Sequence, residues 1–125
     1  MQPKAGKRPV VLVVEDETLV RMDAIEAIEA AGFDVVGAGD ADQAIAILVQ
    51  RADIHLIFTD IQMPGSMDGL KLAHFVKDRW PPIKIIATSG HARITDNDLP
   101  EGSCFLPKPY AAAEIASAIG RLVRQ

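Results

Sequence analysis

The sequence predicts an α/β domain in which helices cover both faces of a parallel β-sheet. Short apolar, β-branched runs alternate with helical patterns along most of the chain. The first of these runs, at residues 10–14, contains no polar residue, which is typical of a strand buried on both faces of a parallel sheet. The chain has 125 residues, of which 49% are hydrophobic and 24% charged, so its length and composition indicate one globular domain.

The first half of the chain contains two strand–helix pairs and a third strand. Each predicted helix has apolar residues at helical spacing, and Gly32 is placed to end the first helix. In order, the predicted elements are a strand at 10–14, a helix at 18–31, a strand at 34–38, a helix at 41–51 and a strand at 56–59.

The second half continues the alternation with one interruption. A helix is predicted at 70–79, where Pro81 and Pro82 follow it, then a strand at 83–88. A fifth strand is centred on Phe105 and Leu106, and a last helix covers 111–123. Between these strands, residues 93–102 show little apolar period, so we expect at most a short or distorted fourth helix there.

Composition excludes several classes of protein. The single cysteine, Cys104, rules out an internal disulfide or a multi-cysteine zinc site, and the net charge of −4 argues against direct nucleic-acid binding. No apolar run has the length of a membrane helix, and the run that follows the basic N-terminus is too short for a signal peptide. We therefore expect a cytoplasmic protein with a disordered tail at 1–8 and one domain at 9–125.

Polar side chains follow four of the five predicted strands. They are Glu15, Asp16 and Glu17 after the first strand, Asp60 after the third, Thr88 and Ser89 at the end of the fourth, and Lys108 after the fifth. The carboxyl ends of parallel strands lie at one edge of the sheet, where ligands bind in open α/β folds. Carboxylates held close together repel one another unless a cation lies between them, and Mg²⁺ is a suitable one.

This set of groups is suited to phosphoryl transfer. A carboxylate beside Mg²⁺ and a lysine can attack phosphorus and form an aspartyl-phosphate. The metal and Lys108 would neutralise charge on the transferring oxygens, and Thr88 could donate a hydrogen bond to one of them. Each residue alone could instead be a helix cap or a solvated loop residue, so the prediction depends on their convergence.

The chain resembles the receiver domain of two-component response regulators, from about residue 8 to residue 123. Four motifs in matching order carry the resemblance: Val13-Val14-Glu15-Asp16-Glu17; Asp60-Ile61-Gln62-Met63-Pro64 with Met67-Asp68-Gly69; Ala87-Thr88-Ser89; and Phe105-Leu106-Pro107-Lys108-Pro109. The resemblance implies a flavodoxin-like, doubly wound five-stranded sheet of order 2-1-3-4-5.

The resemblance also implies roles for the residues at the strand ends. Asp60 would be the phosphoacceptor and Lys108 the phosphate-binding ammonium. Glu15, Asp16, Asp60 and the backbone carbonyl of Gln62 would hold Mg²⁺.

Further roles concern the switch that follows phosphorylation. Thr88 would be the switch hydroxyl, although Ser89 could also donate, and Phe105 takes the place of the family's switch aromatic. The Lys108–Pro109 bond would be cis. Phe105 lacks the hydroxyl of the more frequent tyrosine, and the loop at 63–68 is one residue longer than the common pattern.

The main functional hypothesis is therefore a stand-alone, phosphorylation-switched signalling domain that catalyses its own phosphorylation. Its donor would be a histidine kinase or a histidine phosphotransfer protein, and its output would require a downstream partner protein. Two alternatives stay open: a phosphate sink for a kinase, and a receiver-like adaptor that is recognised irrespective of phosphate. The resemblance suggests a possible homodimer, but the weak fourth helix belongs to the usual dimer face. No membrane contact is expected.

Overall fold

Five strands and four α-helices alternate along the part of the chain that the computed structural model describes, residues 8–90 and 94–124. They are β1 (Val10–Val14), α1 (Thr18–Ala30), β2 (Asp34–Ala38), α2 (Ala41–Gln50), β3 (Ile54–Asp60), α3 (Gly69–Arg79), β4 (Lys84–Ser89), β5 (Cys104–Pro107) and α4 (Ala112–Val123). None of the helices in these ranges has both the length and the apolar character that crossing a bilayer requires.

The strands form one parallel sheet in the order β2-β1-β3-β4-β5. The α/β class and the predicted strand order are thus confirmed. The chain moves outward from β1 to β2 on one side and then to β3, β4 and β5 on the other, so the direction of winding reverses between β1 and β3. The crevice at this reversal, beyond the carboxyl ends of the strands, is where doubly wound sheets bind ligands.

Helices cover both faces of the sheet. On the first, which we call the α2/α3 face, the buried side chains include Leu12, Ala44, Leu48, Ile57, Leu72, Val76, Ile85 and Ala87. On the second, the α1/α4 face, they include Val11, Val13, Ala24, Ile28, Phe58, Ile86, Leu106, Ile115 and Ile119. In β1, in β4 and in β3 from Leu56 onward, successive residues alternate between these faces, as the pleat requires. The three inner strands, β1, β3 and β4, are therefore buried on both sides, whereas the edge strands β2 and β5 are partly exposed.

Two strands differ from the sequence prediction, and each of the four helices differs from it by one residue at one end. β3 begins at Ile54 and ends at Asp60, so the strand is longer than the predicted 56–59 and includes the candidate phosphoacceptor itself. An exposed histidine, His55, belongs to it and accepts a hydrogen bond at Nδ1 from the backbone N–H of Val10. β4 runs one residue further than predicted and includes Ser89.

The segment between β4 and β5 contains, among its described residues, a single 3₁₀ turn at Asp96–Asp98. The prediction of a short or distorted helix in this place is confirmed for residues 94–102. The predicted tail at 1–8 lies outside the described residues except for Arg8, so the domain boundary at residue 9 stays a prediction.

Candidate functional site

Three charged side chains from three different strand ends meet at the reversal point. Asp60 ends β3, Glu15 follows β1, and Lys108 follows β5. The ammonium nitrogen of Lys108 lies 3.3 Å from Oδ2 of Asp60 and 3.5 Å from Oε1 of Glu15. Only 4% of Glu15 and 7% of Asp60 is exposed, so two buried carboxylates share one ammonium.

Asp16 completes an acidic group around the same point. Carboxylate oxygens of Glu15, Asp16 and Asp60 all lie within 4.8 Å of one another, and Asp16 is exposed. Among the described residues, Oδ1 of Asp60 is buried without a hydrogen-bond partner. A buried acceptor of this kind normally has a partner, and clustered carboxylate oxygens are the ligands that Mg²⁺ prefers. The residues present therefore fit a hard divalent cation.

Burial and charge shift the proton equilibria of this group. Burial raises the pKa of Glu15 above its usual value, and the nearby negative charge of Asp60 raises it further, against the N–H of Glu17 and the charge of Lys108, which lower it. Burial alone would lower the pKa of Lys108, but the charges of Asp60 and Glu15 outweigh it and the pKa is raised. Lys108 is accordingly a fixed positive charge at neutral pH.

The backbone around Glu15 is held by hydrogen bonds. Its N–H donates to the carbonyl oxygen of Ala38 on β2. Its carbonyl oxygen accepts from Nη1 of Arg21 at 2.7 Å, and its Oε2 accepts from the N–H of Glu17 at 3.1 Å. Sequence reasoning missed Arg21, whose signal is a basic residue one turn into the helix that follows the acidic pair.

Gly69, at the start of α3, packs directly on the backbone of Asp60. Its N–H donates to the carbonyl oxygen of Ile61 at 2.9 Å. A Cβ at this position would collide with the carbonyl oxygen of Asp60 and lie only 2.7 Å from its carbonyl carbon and 2.8 Å from Cα of Ile61. Only glycine permits this approach. The sequence contained Gly69 within a motif, but nothing there revealed its contact with Asp60.

Two hydroxyl residues end β4 and face opposite sides of the sheet. Thr88 pairs with Asp60 in the β3–β4 register and with Leu106 of the α1/α4 face in β5. Ser89 follows it, and by strand alternation belongs to the α2/α3 face. Each is 1% exposed. Ser89 Oγ donates to Oε1 of Gln62, the second residue after Asp60, at 2.7 Å.

Phe105, the predicted switch aromatic, is half-buried and packs on the α2/α3 face. In the β4–β5 register it pairs with Ala87, two residues before Ser89. Strand alternation therefore puts Phe105 on the same face as Ser89 and on the opposite face from Thr88. The structure does not bring the two predicted switch residues, Thr88 and Phe105, onto one face. The expected cis bond between Lys108 and Pro109 is present.

Comparison with known proteins agrees with this geometry. The profile of the response regulator receiver domain matches residues 11–120. The chain belongs to the response regulator receiver domain family. As a receiver domain it is 30% identical over 116 residues to the response regulator receiver protein CpdR of Brucella abortus, covering 90% of this chain and 95% of that protein.

Other relatives of this receiver domain are longer. The chain is 31% identical over 119 residues to the sensor kinase CckA of Brucella abortus, with 92% of the chain but 12% of that protein covered. It is also 31% identical over 115 residues to the transcriptional regulatory protein PdtaR of Mycobacterium tuberculosis, with 87% of the chain and 54% of that protein covered. The receiver domain therefore spans only part of both proteins.

Solved structures show the same fold. A response regulator receiver protein from Sinorhizobium medicae superposes with a TM-score of 0.86 at 27% identity, covering 94% of this receiver domain and 95% of that chain. The receiver domain of the hybrid histidine kinase CckA gives a TM-score of 0.76 at 29% identity, covering 91% and 98%. These similarities confirm the predicted five-stranded architecture.

Proposed function

We propose that the chain is a phosphorylation-switched signalling domain that accepts a phosphoryl group on Asp60 and signals through a partner protein. The observation that carries the proposal is the buried Asp60 carboxylate, which has the Lys108 ammonium 3.3 Å from one oxygen and no hydrogen-bond partner among the described residues at the other. Membership of the receiver domain family supports the same function.

The reaction would be an attack by an Asp60 carboxylate oxygen on the phosphorus of a phosphohistidine. The new bond is an oxygen–phosphorus bond, and the phosphorus–nitrogen bond breaks with its electron pair going to the imidazole. Negative charge on the phosphoryl oxygens would meet the ammonium of Lys108, which is already in place before the reaction begins. The absence of a side chain at Gly69 lets α3 pack against the backbone of Asp60, where a Cβ would collide with its carbonyl oxygen.

Mg²⁺ is the proposed cofactor. Glu15, Asp16, Asp60 and the backbone carbonyl of Gln62 would hold it, since the first three already bring their oxygens together. When bound, the ion supplies positive charge that offsets the carboxylates and the phosphoryl oxygens. Thr88 is proposed as the hydroxyl at the phosphoryl group, with Ser89 as the other candidate and Phe105 as the aromatic that responds.

A histidine kinase or a histidine phosphotransfer protein is the proposed donor. Beside Lys108 lies a cleft of about 550 Å³ that Val20 of α1 and Tyr110 also line. Two large apolar side chains of α1, Leu19 and Met22, are 77% and 57% exposed. A helical partner could cover these side chains while presenting its phosphohistidine to Asp60.

The test is the mass of the intact protein after incubation with acetyl phosphate and Mg²⁺. Wild type should gain one phosphate, and Asp60→Asn should gain none. Asp78→Asn, which changes an exposed aspartate of α3, is the matched control and should be phosphorylated like wild type. Chelation of the metal should stop the reaction, and Lys108→Gln should slow it. An unmodified wild type, or phosphate retained by Asp60→Asn, would contradict the proposal.

A further inference from the structure

Hydrogen bonds hold the backbone of Glu15 on both sides. Its N–H donates to the carbonyl oxygen of Ala38 on β2 at 3.1 Å. Its carbonyl oxygen, which belongs to the peptide that joins Glu15 to Asp16, accepts from Nη1 of Arg21 at 2.7 Å. A hydrogen bond from a charged guanidinium is stronger than one between neutral groups. Arg21 therefore fixes the orientation of the peptide between the two acidic residues.

Among the described residues, the start of α1 has no side-chain cap that could do this instead. Glu17 is the N-cap residue of α1, and its side chain makes no capping hydrogen bond. Such a bond commonly satisfies the first N–H groups of a helix and fixes where its first turn begins. Here the N–H of Arg21 donates to the carbonyl oxygen of Glu17 at 2.9 Å. Arg21 thus binds the loop at 15–17 through its backbone and through its guanidinium.

Two glycines leave the room that the Arg21 side chain occupies beside β2. A Cβ at Gly37 would lie 3.5 Å from Cδ of Arg21, and a Cβ at Gly39 would lie 3.5 Å from its Nη1. The side chain therefore runs along the backbone of the edge strand to reach the Glu15 carbonyl. A branched side chain at either glycine would compete with Arg21 for this space.

We infer that Arg21 is a positioning residue of the proposed Mg²⁺ site. Its guanidinium fixes the peptide between Glu15 and Asp16, whose carboxylates are two of the three with oxygens within 4.8 Å of one another. Arg21 acts on these carboxylates through a backbone oxygen and is not itself a metal ligand. This inference rests on the proposed function, because it assumes that a metal ion binds to these acids.

Position and charge predict opposite effects of losing the Arg21 guanidinium. The guanidinium is a positive charge beside an acidic group, and it repels a cation that binds there. Removing that charge alone would therefore strengthen Mg²⁺ binding. Releasing the peptide between Glu15 and Asp16 would weaken Mg²⁺ binding, because the ligand oxygens would then have to be ordered when the ion binds. The direction of the change thus distinguishes the two roles.

The affinity for Mg²⁺, measured by calorimetry, tests the positioning role. Arg21→Met keeps an unbranched stem beside Gly37 and removes the donors, and the partial exposure of Arg21 should allow the variant to fold. It should bind Mg²⁺ about tenfold more weakly than wild type, the lower end of the effect of losing a group that orients a metal ligand. Arg121→Met removes an exposed arginine from the last turn of α4 and should bind like wild type. Unchanged or tighter binding by Arg21→Met would overturn the inference.

A conservative variant separates position from charge again. Arg21→Lys keeps a charged donor on a long stem, so it should bind Mg²⁺ more tightly than Arg21→Met. If charge were the only effect, Arg21→Lys would bind more weakly than Arg21→Met, because it still repels the ion. That weaker binding would contradict the positioning role.

Phosphorylation by acetyl phosphate separates positioning from a loss of folded protein. In Arg21→Met, the Mg²⁺ concentration that gives half the maximal rate should rise by the same factor as the dissociation constant. The rate at saturating Mg²⁺ should stay close to that of wild type, because Asp60 and Lys108 are unchanged. A lower maximal rate with an unchanged Mg²⁺ requirement would show a general structural role and overturn the inference.

Amide hydrogen exchange in EDTA tests the contact without metal. The backbone N–H groups of residues 15, 17 and 21 are hydrogen-bonded in or beside the loop. They should exchange faster in Arg21→Met and at the wild-type rate in Arg121→Met. Wild-type exchange in Arg21→Met would show that the guanidinium does not hold this loop. If wild type binds no Mg²⁺, the proposed metal site is wrong and the inference fails with it, whereas equal binding by wild type and Arg21→Met overturns the inference alone.

Discussion

Glu15 is buried beside a second carboxylate, and both Glu15 and Asp60 depend on the single ammonium of Lys108. This arrangement gives the metal-free protein a pH dependence. Burial raises the pKa of Glu15 above 4.5, so the folded protein holds that proton more tightly than the unfolded chain does. Above pH 4.5 the folded state binds more protons at this site, and the free energy of unfolding must fall as pH rises through the raised pKa.

This pH dependence can be tested by comparing wild type with Glu15→Gln, in which residue 15 has no titrating carboxyl group. In EDTA, the stability of the variant relative to wild type should increase as pH rises from 4.5 towards neutrality and then level off. Urea unfolding at a series of pH values measures it, with Glu17→Gln as the exposed control two residues away. A stability difference that is independent of pH, or that decreases, would show that Glu15 is not destabilised by burial.

Sequence reasoning identified the charged residues of the site because the carboxyl ends of parallel strands meet at one edge. Locating the ends of three apolar runs was sufficient to predict Glu15, Asp60 and Lys108 as site residues. The hydroxyl was a harder question. Thr88 and Ser89 are neighbours on one strand and face opposite sides, so choosing between them requires the register of β4, which the sequence pattern does not contain.

At the scale of the element, α3 is joined to the phosphoacceptor through Gly69. A methyl group at position 69 would collide with the carbonyl group of Asp60 and with Cα of Ile61. Asp68 caps the helix by accepting from the N–H of Lys71 at 2.9 Å, which fixes where its first turn begins. Any enlargement of residue 69 must therefore displace the helix, Asp60 or both.

Gly69→Ala should lower the free energy of unfolding by about 1–3 kcal/mol, the cost of overpacking a close contact. It should also slow phosphorylation by acetyl phosphate at least tenfold, because the Asp60 carboxylate moves with its backbone. Gly120→Ala is the control, since a Cβ there meets only the flexible end of Arg124, at 3.1 Å, and alanine favours helix. Chemical denaturation and intact-mass kinetics measure the two effects, and a Gly69→Ala protein that behaves like wild type would contradict this account.

The sequence predicted some helices and strands more accurately than others. Strands and long helices followed from apolar runs and helical spacing, since burial on both faces leaves a strong pattern. The end of β3 was placed too early because Asp60, a charged residue, is paired within the sheet opposite Thr88. The segment before β5 was correctly expected to form at most a short helix, because it is polar and includes Pro100 and Gly102. Gly102 has a φ of +87°.

For the whole molecule, the order of the strands decides which residues meet. The alternation of strands and helices predicted a parallel sheet, but periodicity does not state which strands are neighbours. That information came from the family resemblance, and the structure confirms it with β1 and β3 at the centre of the reversal. Two carboxylate-bearing strand ends are thereby placed side by side, at a cost in stability that a bound cation would offset.

At the scale of the whole molecule, we predict that adding Mg²⁺ reverses which of wild type and Asp60→Asn is the more stable protein. Without metal, Asp60→Asn should be more stable than wild type by about 1 kcal/mol, because one carboxylate then faces one ammonium and the unpartnered oxygen is no longer charged. With Mg²⁺ at a hundredfold excess over its dissociation constant, wild type should gain about 2.7 kcal/mol. Asp60→Asn should gain much less, so wild type becomes the more stable protein.

Thermal unfolding in EDTA and in Mg²⁺ measures this reversal. Asp78→Asn, on the exposed surface of α3, should follow wild type under both conditions. Ca²⁺ and Na⁺ at matched ionic strength separate specific binding from general screening of the acidic site. If Mg²⁺ does not stabilise wild type, or stabilises Asp60→Asn by the same amount, the proposal that Mg²⁺ binds at this site is wrong.

Only one tyrosine and one tryptophan occur in the sequence. Tyr110 lies beside Lys108 and packs edge-on against Phe58, with ring centroids 5.8 Å apart. Trp80 precedes β4, so it lies at the amino-terminal edge of the sheet, with its ring 5.1 Å from the guanidinium of Arg79. The two chromophores thus sit at opposite ends of the molecule. Tyrosine absorbance should therefore respond to events at the reactive crevice. Tryptophan fluorescence should change only when a structural change extends from the crevice to the opposite edge of the sheet.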